Sequence, residues 1–379
     1  MKLGIIGLGA IGSMHIKNIQ DGKAQGCEIV AICDEKFIDP VKFAGLKAYS
    51  NVDELLSDAN VEAVLVATPS FNHFELAKKC LEANKHVLIE KPIALTSLDA
   101  KQIVELARTR GKVCGIMLNQ RTTPMYARIK ELVSSGELGK INRASWFMTN
   151  WYRPQIYFSS SNWRGTWKGE AGGALINQSI HNIDIFAWIF GMPESLRAWC
   201  KFGKYHNIEV EDEATAYFTF PNDMSATFAT ATGEYPGTNR LEIAGDKGFL
   251  VAENDKLKIT RFASLKDYTL NTKYVFGTPD DTVEEQSFTD KGAQHSGVLT
   301  NFVNAVDNGA KFDFDAQEGY NSVCLANAML LSSWTNSDVS LSPFDDEAYA
   351  KILAEKTATS SFRENVDTDF ITEFSKSFR

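Results

Sequence analysis

A glycine loop at the start of the chain constrains the fold more than any other feature. Gly7-Leu8-Gly9-Ala10-Ile11-Gly12 fits the pattern G-x-G-x-x-G. It follows the short apolar run 2–6 and opens a helix-like stretch at 11–20. The six residues alone carry little weight; a strand before them and a helix after them carry the rest. Gly7 and Gly9 allow a tight turn and a close approach of backbone to a pyrophosphate, and Gly12 lets helix pack on strand. Ala10 and Ile11 begin the helix, whose free N–H groups and positive dipole end suit phosphates. The competing reading is a glycine-rich turn of some other α/β protein, which the strand–loop–helix context disfavours.

The following hundred residues repeat the alternation. Apolar runs at 28–33, 61–67, 86–89 and 113–118 are interspersed with helix-like stretches at 74–83 and 97–109. Strands separated by helices predict right-handed crossovers and a doubly wound parallel sheet. After Gln120 the pattern changes. A helix is predicted over 124–134, with a proline at its start. Strands then predominate: 214–220 and 224–232 alternate, and 239–245 and 248–251 flank the turn Asp246-Lys247. Further helices are expected at 180–190, near 298–308 and at 316–332. The fold class is therefore α/β: an N-terminal Rossmann sheet plus a C-terminal α+β domain with a large open, mostly antiparallel sheet and helices on one face. The expected domains are 1–122 for the dinucleotide, 123–345 for substrate and oligomerisation, and a polar, helix-compatible tail, 346–379, with no assigned place.

At 379 residues the chain suits two domains. Its net charge of -9 and scattered basic residues argue against nucleic acid as a partner. No apolar run is long enough to span a membrane. The N-terminal apolar stretch is short and ends in a glycine loop rather than a cleavage site, so a cytoplasmic protein is expected. The six cysteines, Cys27, Cys33, Cys80, Cys114, Cys200 and Cys324, form no CxxC pair and read as reduced core residues. No Cys and His cluster has metal-ligand spacing, so no metal is expected.

Asp34 ends the second strand, 22 residues after Gly12. A carboxylate there accepts both ribose hydroxyls of an adenosine and repels a 2′-phosphate, which points to NAD over NADP. A plain strand-ending turn residue is the alternative.

Three further segments carry a resemblance. Ala67-Thr68-Pro69 with His73 closes one strand, Glu90-Lys91-Pro92 closes the next, and Gly172-Gly173-Ala174-Leu175-Ile176-Asn177-Gln178-Ser179-Ile180-His181-Asn182-Ile183-Asp184 lies in the second domain. With the glycine loop, they resemble the glucose–fructose oxidoreductase / inositol dehydrogenase (Gfo/Idh/MocA) family over about 340 residues. Trp163-Arg164-Gly165-Thr166-Trp167 is similar to the levoglucosan and glycoside 3-dehydrogenase branch. The resemblance implies an NAD enzyme whose cofactor residues include Thr68, Pro69, His73 and Glu90. It further implies catalysis by Lys91 and His181, a cis peptide before Pro92, and a homo-oligomer (dimer, tetramer or larger) formed through the open sheet.

Oxidising a secondary alcohol requires a hydride acceptor and a group to take the hydroxyl proton. Lys91, at the carboxyl end of a strand, suits a hydrogen bond to the reacting hydroxyl. A cationic nicotinamide beside it is expected to depress its pKa. His181 titrates near neutrality and suits the base. Bland readings of an exposed turn lysine and a core histidine stand beside these. Asp184, three residues on, either orients His181 or pairs elsewhere. Asn177 stands where many inositol-type relatives have aspartate; it positions a hydroxyl but takes no proton. His73 either faces the cofactor or caps its helix, and His295 either reaches the pocket or simply begins a helix. Arg153, Trp163, Arg164 and Trp167 suit the apolar faces and hydroxyl edges of a sugar ring, or else a packed aromatic cluster.

The expected activity is thus oxidation of a sugar or glycoside hydroxyl, at C3, by an NAD-dependent dehydrogenase. The alternatives are an inositol or free-sugar dehydrogenase, an NAD-assisted glycosidase and a non-enzymatic NAD-sensing regulator.

Overall fold

The computed structural model describes residues 1–36, 43, 45–364 and 366–371. In chain order its elements are β1 (Lys2–Ile6), α1 (Ala10–Gln20), β2 (Glu28–Cys33), β3 (Lys47–Tyr49), α2 (Val52–Ser57), β4 (Ala63–Val66), α3 (His73–Glu82), β5 (His86–Ile89), α4 (Ser97–Arg110) and β6 (Cys114–Ile116). There follow α5 (Pro124–Ser134), β7 (Ile141–Met148), α6 (Gln155–Ser159), α7 (Trp167–Glu170), α8 (Ile180–Phe190), β8 (Ser195–Phe202), β9 (Glu211–Thr219), β10 (Ser225–Ala231), β11 (Asn239–Gly245), β12 (Gly248–Glu253) and β13 (Lys256–Phe262). The last are α9 (Leu265–Asn271), β14 (Asp281–Ser287), α10 (Gln294–Asn308), α11 (Ala316–Thr335), β15 (Val339–Ser340) and α12 (Asp346–Thr359).

These elements form two compact units, Met1–Thr122 with Gly292–Cys324, and Thr123–Lys291 with Leu325–Arg379, of which the described residues end at Ile371. Here the boundaries read from sequence need correcting, because 292–324 returns to the first unit. Apolar burial draws it there. Helix α10 buries Val298, Leu299, Phe302 and Val303. The chain after it runs along the edge strand β6, where Ile116 N–H donates to Phe314 O at 2.9 Å. A side chain at Gly115 would strike the Phe312 ring at 2.2 Å, so glycine is required under this cover.

Among the described residues, the first unit holds a six-stranded parallel sheet in the order β3-β2-β1-β4-β5-β6. Its middle strand β4, Ala-Val-Leu-Val, is buried throughout, as a strand with helices over both faces must be. The chain leaves β1 toward β2 and β3, then returns to β4 on the other side. That reversal opens a crevice at the carboxyl ends of β1 and β4, where open α/β sheets bind ligands.

The second unit holds, among the described residues, a nine-stranded sheet in the order β14-β13-β12-β11-β7-β10-β9-β8-β15, antiparallel except for the β7–β10 pair. Period-2 alternation decides its faces. Ala214, Ala216 and Phe218 of β9 point inward, and α8 covers them; its Phe186 ring lies 4.9 Å from that of Phe218. Phe147, Trp199 and Tyr217 stay about half exposed on the other face. The sheet is therefore open on one side, as expected.

The tail acquires a place. Asp345 caps α12 by accepting from Ala348 N–H at 2.9 Å. Tyr349 is wholly buried, stacked 5.4 Å from Trp334, with its hydroxyl donating to Ala171 O at 3.3 Å. Residues 372–379 of the tail lie outside the described residues.

Candidate functional site

In the first unit, sterics explain two of the three loop glycines. Gly7 has φ +94°, and a Cβ there would meet Ala67 O at 2.7 Å. A Cβ at Gly12 would meet Gly7 O at 1.9 Å. At Gly9, by contrast, an added Cβ meets nothing within 4 Å. The chain itself does not need a glycine there, whereas a phosphate approaching bare backbone does. Gly9 is the N-cap of helix α1 and gives no side-chain cap, so the first N–H groups of the helix are left without one. The residues present therefore fit a pyrophosphate.

Asp34 stands beside this loop. Its Oδ2 accepts from Leu8 N–H at 2.7 Å and its Oδ1 from Lys36 N–H at 2.9 Å. The carboxylate thus fixes the glycine loop and keeps further lone pairs for hydroxyl donors. Thr68 and Pro69 follow β4 at the same end of the sheet.

His73 does something the sequence reading did not foresee. It is buried, with Nδ1 2.6 Å from Pro92 O and Nε2 2.9 Å from Thr68 O. It neither caps α3 nor turns to an open face; it ties the segment after β4 to the segment after β5. Both partners are acceptors, so only the imidazolium donates to both at once, while burial lowers its pKa.

Glu90 is buried too, and its Oε1 lies 2.7 Å from His15 Nε2. Its Oε2 accepts from the backbone N–H of Lys91 at 3.2 Å. The ring of His295 stands edge-on to His15, 5.4 Å away. Burial alone would raise the Glu90 pKa; the His15 bond and the charges of His15, His295 and Lys91 instead hold it at about 2. Glu90, expected to bind cofactor, is thus a fixed anion that sets the backbone of Lys91. The Lys91–Pro92 peptide is cis, as expected, and Lys91 is half-buried.

In the second unit, the glycine pair lets a loop pass close under β9. A Cβ at Gly173 would meet Glu211 O at 2.1 Å. Gly173 and Leu175 N–H both donate to Glu211 Oε1, at 2.8 and 2.9 Å. Residues Ala174–Gln178 then form a π-helical turn, a rare geometry frequent at functional sites. It leads into α8, where His181 is 6% exposed and Asp184 is buried three residues further on. Asn177 Nδ2 donates to Glu170 Oε1, and Glu170 Oε2 accepts from Gly165 N–H at 2.6 Å. Glu211 is wholly buried; burial raises its carboxyl pKa to about 7, with backbone bonds opposing and the Glu170 charge reinforcing.

The aromatic–arginine segment gathers around Tyr157. The Arg153 and Arg164 guanidiniums lie 5.2 and 4.5 Å from its ring centre, and Gln178 Nε2 donates to its hydroxyl at 3.1 Å. Arg164 also lies 5.0 Å over Trp163. The π-turn and the arginine cluster are therefore linked. Trp167 belongs elsewhere. It is buried against Trp334 at 5.5 Å and Phe202 at 5.8 Å, with Lys356 Nζ 5.3 Å over its ring. The structure shows it packed in this aromatic cluster.

His15, Tyr157, Glu170 and Glu211 were not singled out from sequence. All six cysteines are free, five of them buried. Among the described residues no group of acidic, His or Cys side chains could hold a metal, and no helix is long and apolar enough to cross a membrane.

Comparison with known proteins agrees with this geometry. Residues 1–118 match the family described as an oxidoreductase family with an NAD-binding Rossmann fold, and residues 126–251 match the GFO/IDH/MocA C-terminal domain. The chain is 26% identical over 266 residues to myo-inositol 2-dehydrogenase of Thermotoga maritima, spanning 67% of this chain and 75% of that protein. It is 31% identical over 202 residues to a scyllo-inositol 2-dehydrogenase (NADP(+)) of Bacillus subtilis, spanning 52% and 54%. Among solved structures, the WlbA dehydrogenase of Bordetella pertussis in complex with NADH and UDP-GlcNAcA superposes with a TM-score of 0.75 at 25% identity, covering 91% of this chain and 99% of that one. Levoglucosan dehydrogenase in complex with NADH and levoglucosan gives a TM-score of 0.73 at 19% identity, covering 90% and 99%, a likeness of fold.

Proposed function

We propose, from the premise that the chain belongs to the Gfo/Idh/MocA family of NAD(P)-dependent oxidoreductases, that it oxidises a secondary hydroxyl of a sugar or glycoside, at C3 of a pyranoside ring, to the ketone. The observation that carries this reading is the setting of Lys91. It lies just past the carboxyl end of a parallel strand, its backbone is held by Glu90, and its unit opens with a loop shaped for a dinucleotide.

NAD, when bound, supplies the nicotinamide that accepts the hydride. The backbone of Gly7 to Gly12 and the start of α1 would hold the pyrophosphate, and Asp34 would accept hydrogen bonds from the ribose hydroxyls, with Thr68 and Pro69 as further cofactor residues. A 2′-phosphate would meet the Asp34 carboxylate, which favours NAD over NADP. Lys91 donates a hydrogen bond to the reacting hydroxyl oxygen and stabilises it as its proton leaves. His181 takes that proton. Asn177, Arg153, Trp163 and Arg164 hold the ring through its hydroxyls and apolar face.

A second reading, an inositol or free-sugar dehydrogenase, is favoured by the inositol dehydrogenases among the relatives. We also propose that the open face of the nine-stranded sheet joins copies of this chain. Register aligns Trp199, Thr215, Ala229 and Phe147 in one row across four strands, an apolar stripe suited to a second copy.

Lys91→Ala and His181→Ala test the assignment. Each lowers turnover on the oxidised substrate by about 10²-fold or more, the scale of lost acid–base catalysis, with little change in NAD affinity. Near-normal turnover in either variant overturns its role.

A further inference from the structure

Position 177, four residues before His181, carries an amide. Its neighbour gives the reason. Glu170, the last residue of α7, is 2% exposed and directly contacts Asn177 through Oε1. Its other oxygen is engaged by the Gly165 N–H at 2.6 Å. A carboxylate only accepts. The amide of Asn177 must therefore turn its NH2 toward Glu170, and the group it turns away is its carbonyl oxygen. An aspartate at 177 would set two carboxylates against each other, with Glu211 as a further buried acid whose pKa the Glu170 charge already raises. A glutamate at 170 and a donor at 177 thus require each other.

We infer that Glu170 is a positioning residue for the substrate: through Asn177 it fixes an acceptor, not a donor or a base, toward the bound ring. The inference rests on the reading that Asn177 faces the substrate. The ring it selects is neutral and offers a hydroxyl hydrogen at this point. A ring bearing a carboxylate there meets the amide oxygen with the Glu170 charge behind it, and is rejected. Asn177 takes no proton from the reacting hydroxyl, so proton removal falls to His181.

The test compares Glu170→Gln, Asn177→Asp and the double variant carrying both. Two readouts are taken between pH 6 and 9: NADH formation with methyl β-D-glucopyranoside and with myo-inositol, and thermal midpoint. His181 on α8 and Glu211 on β9 are titratable neighbours kept in every variant; wild type and the double variant each hold one carboxylate in the 170–177 pair beside Glu211, so those two profiles are the ones compared directly. In Glu170→Gln a single amide cannot accept from both Gly165 N–H and Asn177; turnover falls roughly tenfold while NAD affinity holds. In Asn177→Asp the paired carboxylates share a proton at low pH, so both turnover and midpoint fall as pH rises. In the double variant the amide introduced at position 170 donates to the carboxylate introduced at position 177. The thermal midpoint then follows the wild-type profile, in which Glu211 still titrates, instead of the steeper fall of Asn177→Asp. If Asn177→Asp and the double variant have the same pH profile of thermal midpoint, the pairing is wrong. If wild type turns over neither probe while the two midpoint profiles differ as stated, the substrate reading fails and the Glu170–Asn177 pairing stands.

Discussion

His15 Nε2 lies 2.7 Å from Glu90 Oε1, and both side chains are buried, at 1% and 7% exposure. The pair joins the first helix after the glycine loop to the strand end that carries Lys91. A histidine three residues past the dinucleotide fingerprint and a glutamate one residue before the proposed catalytic lysine thereby act as one support.

Breaking that support has a definite cost. His15→Ala leaves the Glu90 carboxylate buried without its partner, and loss of one member of a buried pair costs about 3 kcal/mol or more. The expected outcome is a clear drop in unfolding free energy by denaturant titration. Because the folded pKa of Glu90 is held at about 2, below the ordinary value of 4.5, its stabilisation is complete above pH 4.5. It is lost as pH falls from there toward 2. Glu90→Gln removes that part of the acid dependence, and an unchanged acid limb would contradict it.

Glu211 predicts the opposite slope. Burial raises its folded pKa to about 7, so the folded state holds a proton that the unfolded state releases near 4.5. Its contribution is complete below pH 4.5 and is lost as pH rises through about 7. The groups around it are Glu170, Tyr349 and Cys200. Glu211→Gln keeps an acceptor for Gly173 and Leu175 N–H and flattens stability between pH 5 and 8. A variant with the wild-type slope would show that another group titrates.

Asp34→Ala removes both the partner of Leu8 N–H and the proposed ribose acceptor. The expected loss in NAD affinity is about tenfold or more, at roughly 1.4 kcal/mol per tenfold, with a smaller loss for NADP. Equal losses for the two cofactors, measured by fluorescence titration, would sink the selectivity assigned to Asp34.

On the open face of the nine-stranded sheet, Trp199→Asp or Phe147→Asp places a charge in the exposed aromatic row. Sedimentation should show a shift to smaller species with the far-UV spectrum unchanged. A variant that sediments like wild type would remove this face as the assembly surface.

The fold was legible because its signals are local. Glycines at fixed offsets, apolar runs separated by helical stretches, and period-2 alternation each arise within ten residues or so. Strand β14, Asp-Thr-Val-Glu-Glu-Gln-Ser, was not legible; it is polar and exposed, and its pairing with β13 comes from the partner strand. Nor was the docking of α12, which buries only Asp346, Tyr349 and Leu353. In the site, Gly7 and Asp34 could be singled out because their spacing is short-range, whereas Lys91 and His181 were singled out through the family resemblance of the motifs that hold them. His15 with Glu90, and Glu211 with Gly173, are brought together across 75 and 38 residues, and no spacing announces them. His73 shows the converse: its residue type suited a ligand or a cap, and burial sets it between two carbonyls.

Hydride transfer from a sugar hydroxyl leaves a product that lacks two hydrogens, which product analysis detects. Purified protein is incubated with NAD and a panel of glucosides, free sugars and inositols, with NADH followed by absorbance and products by mass spectrometry. The account predicts a glycoside or sugar product lacking two hydrogens, oxidised at a ring carbon, with the glycosidic bond intact. Oxidation of inositols alone would replace it with the second reading. Glycosidic cleavage without an oxidised product, or NAD binding with no oxidised product from any compound, would contradict it.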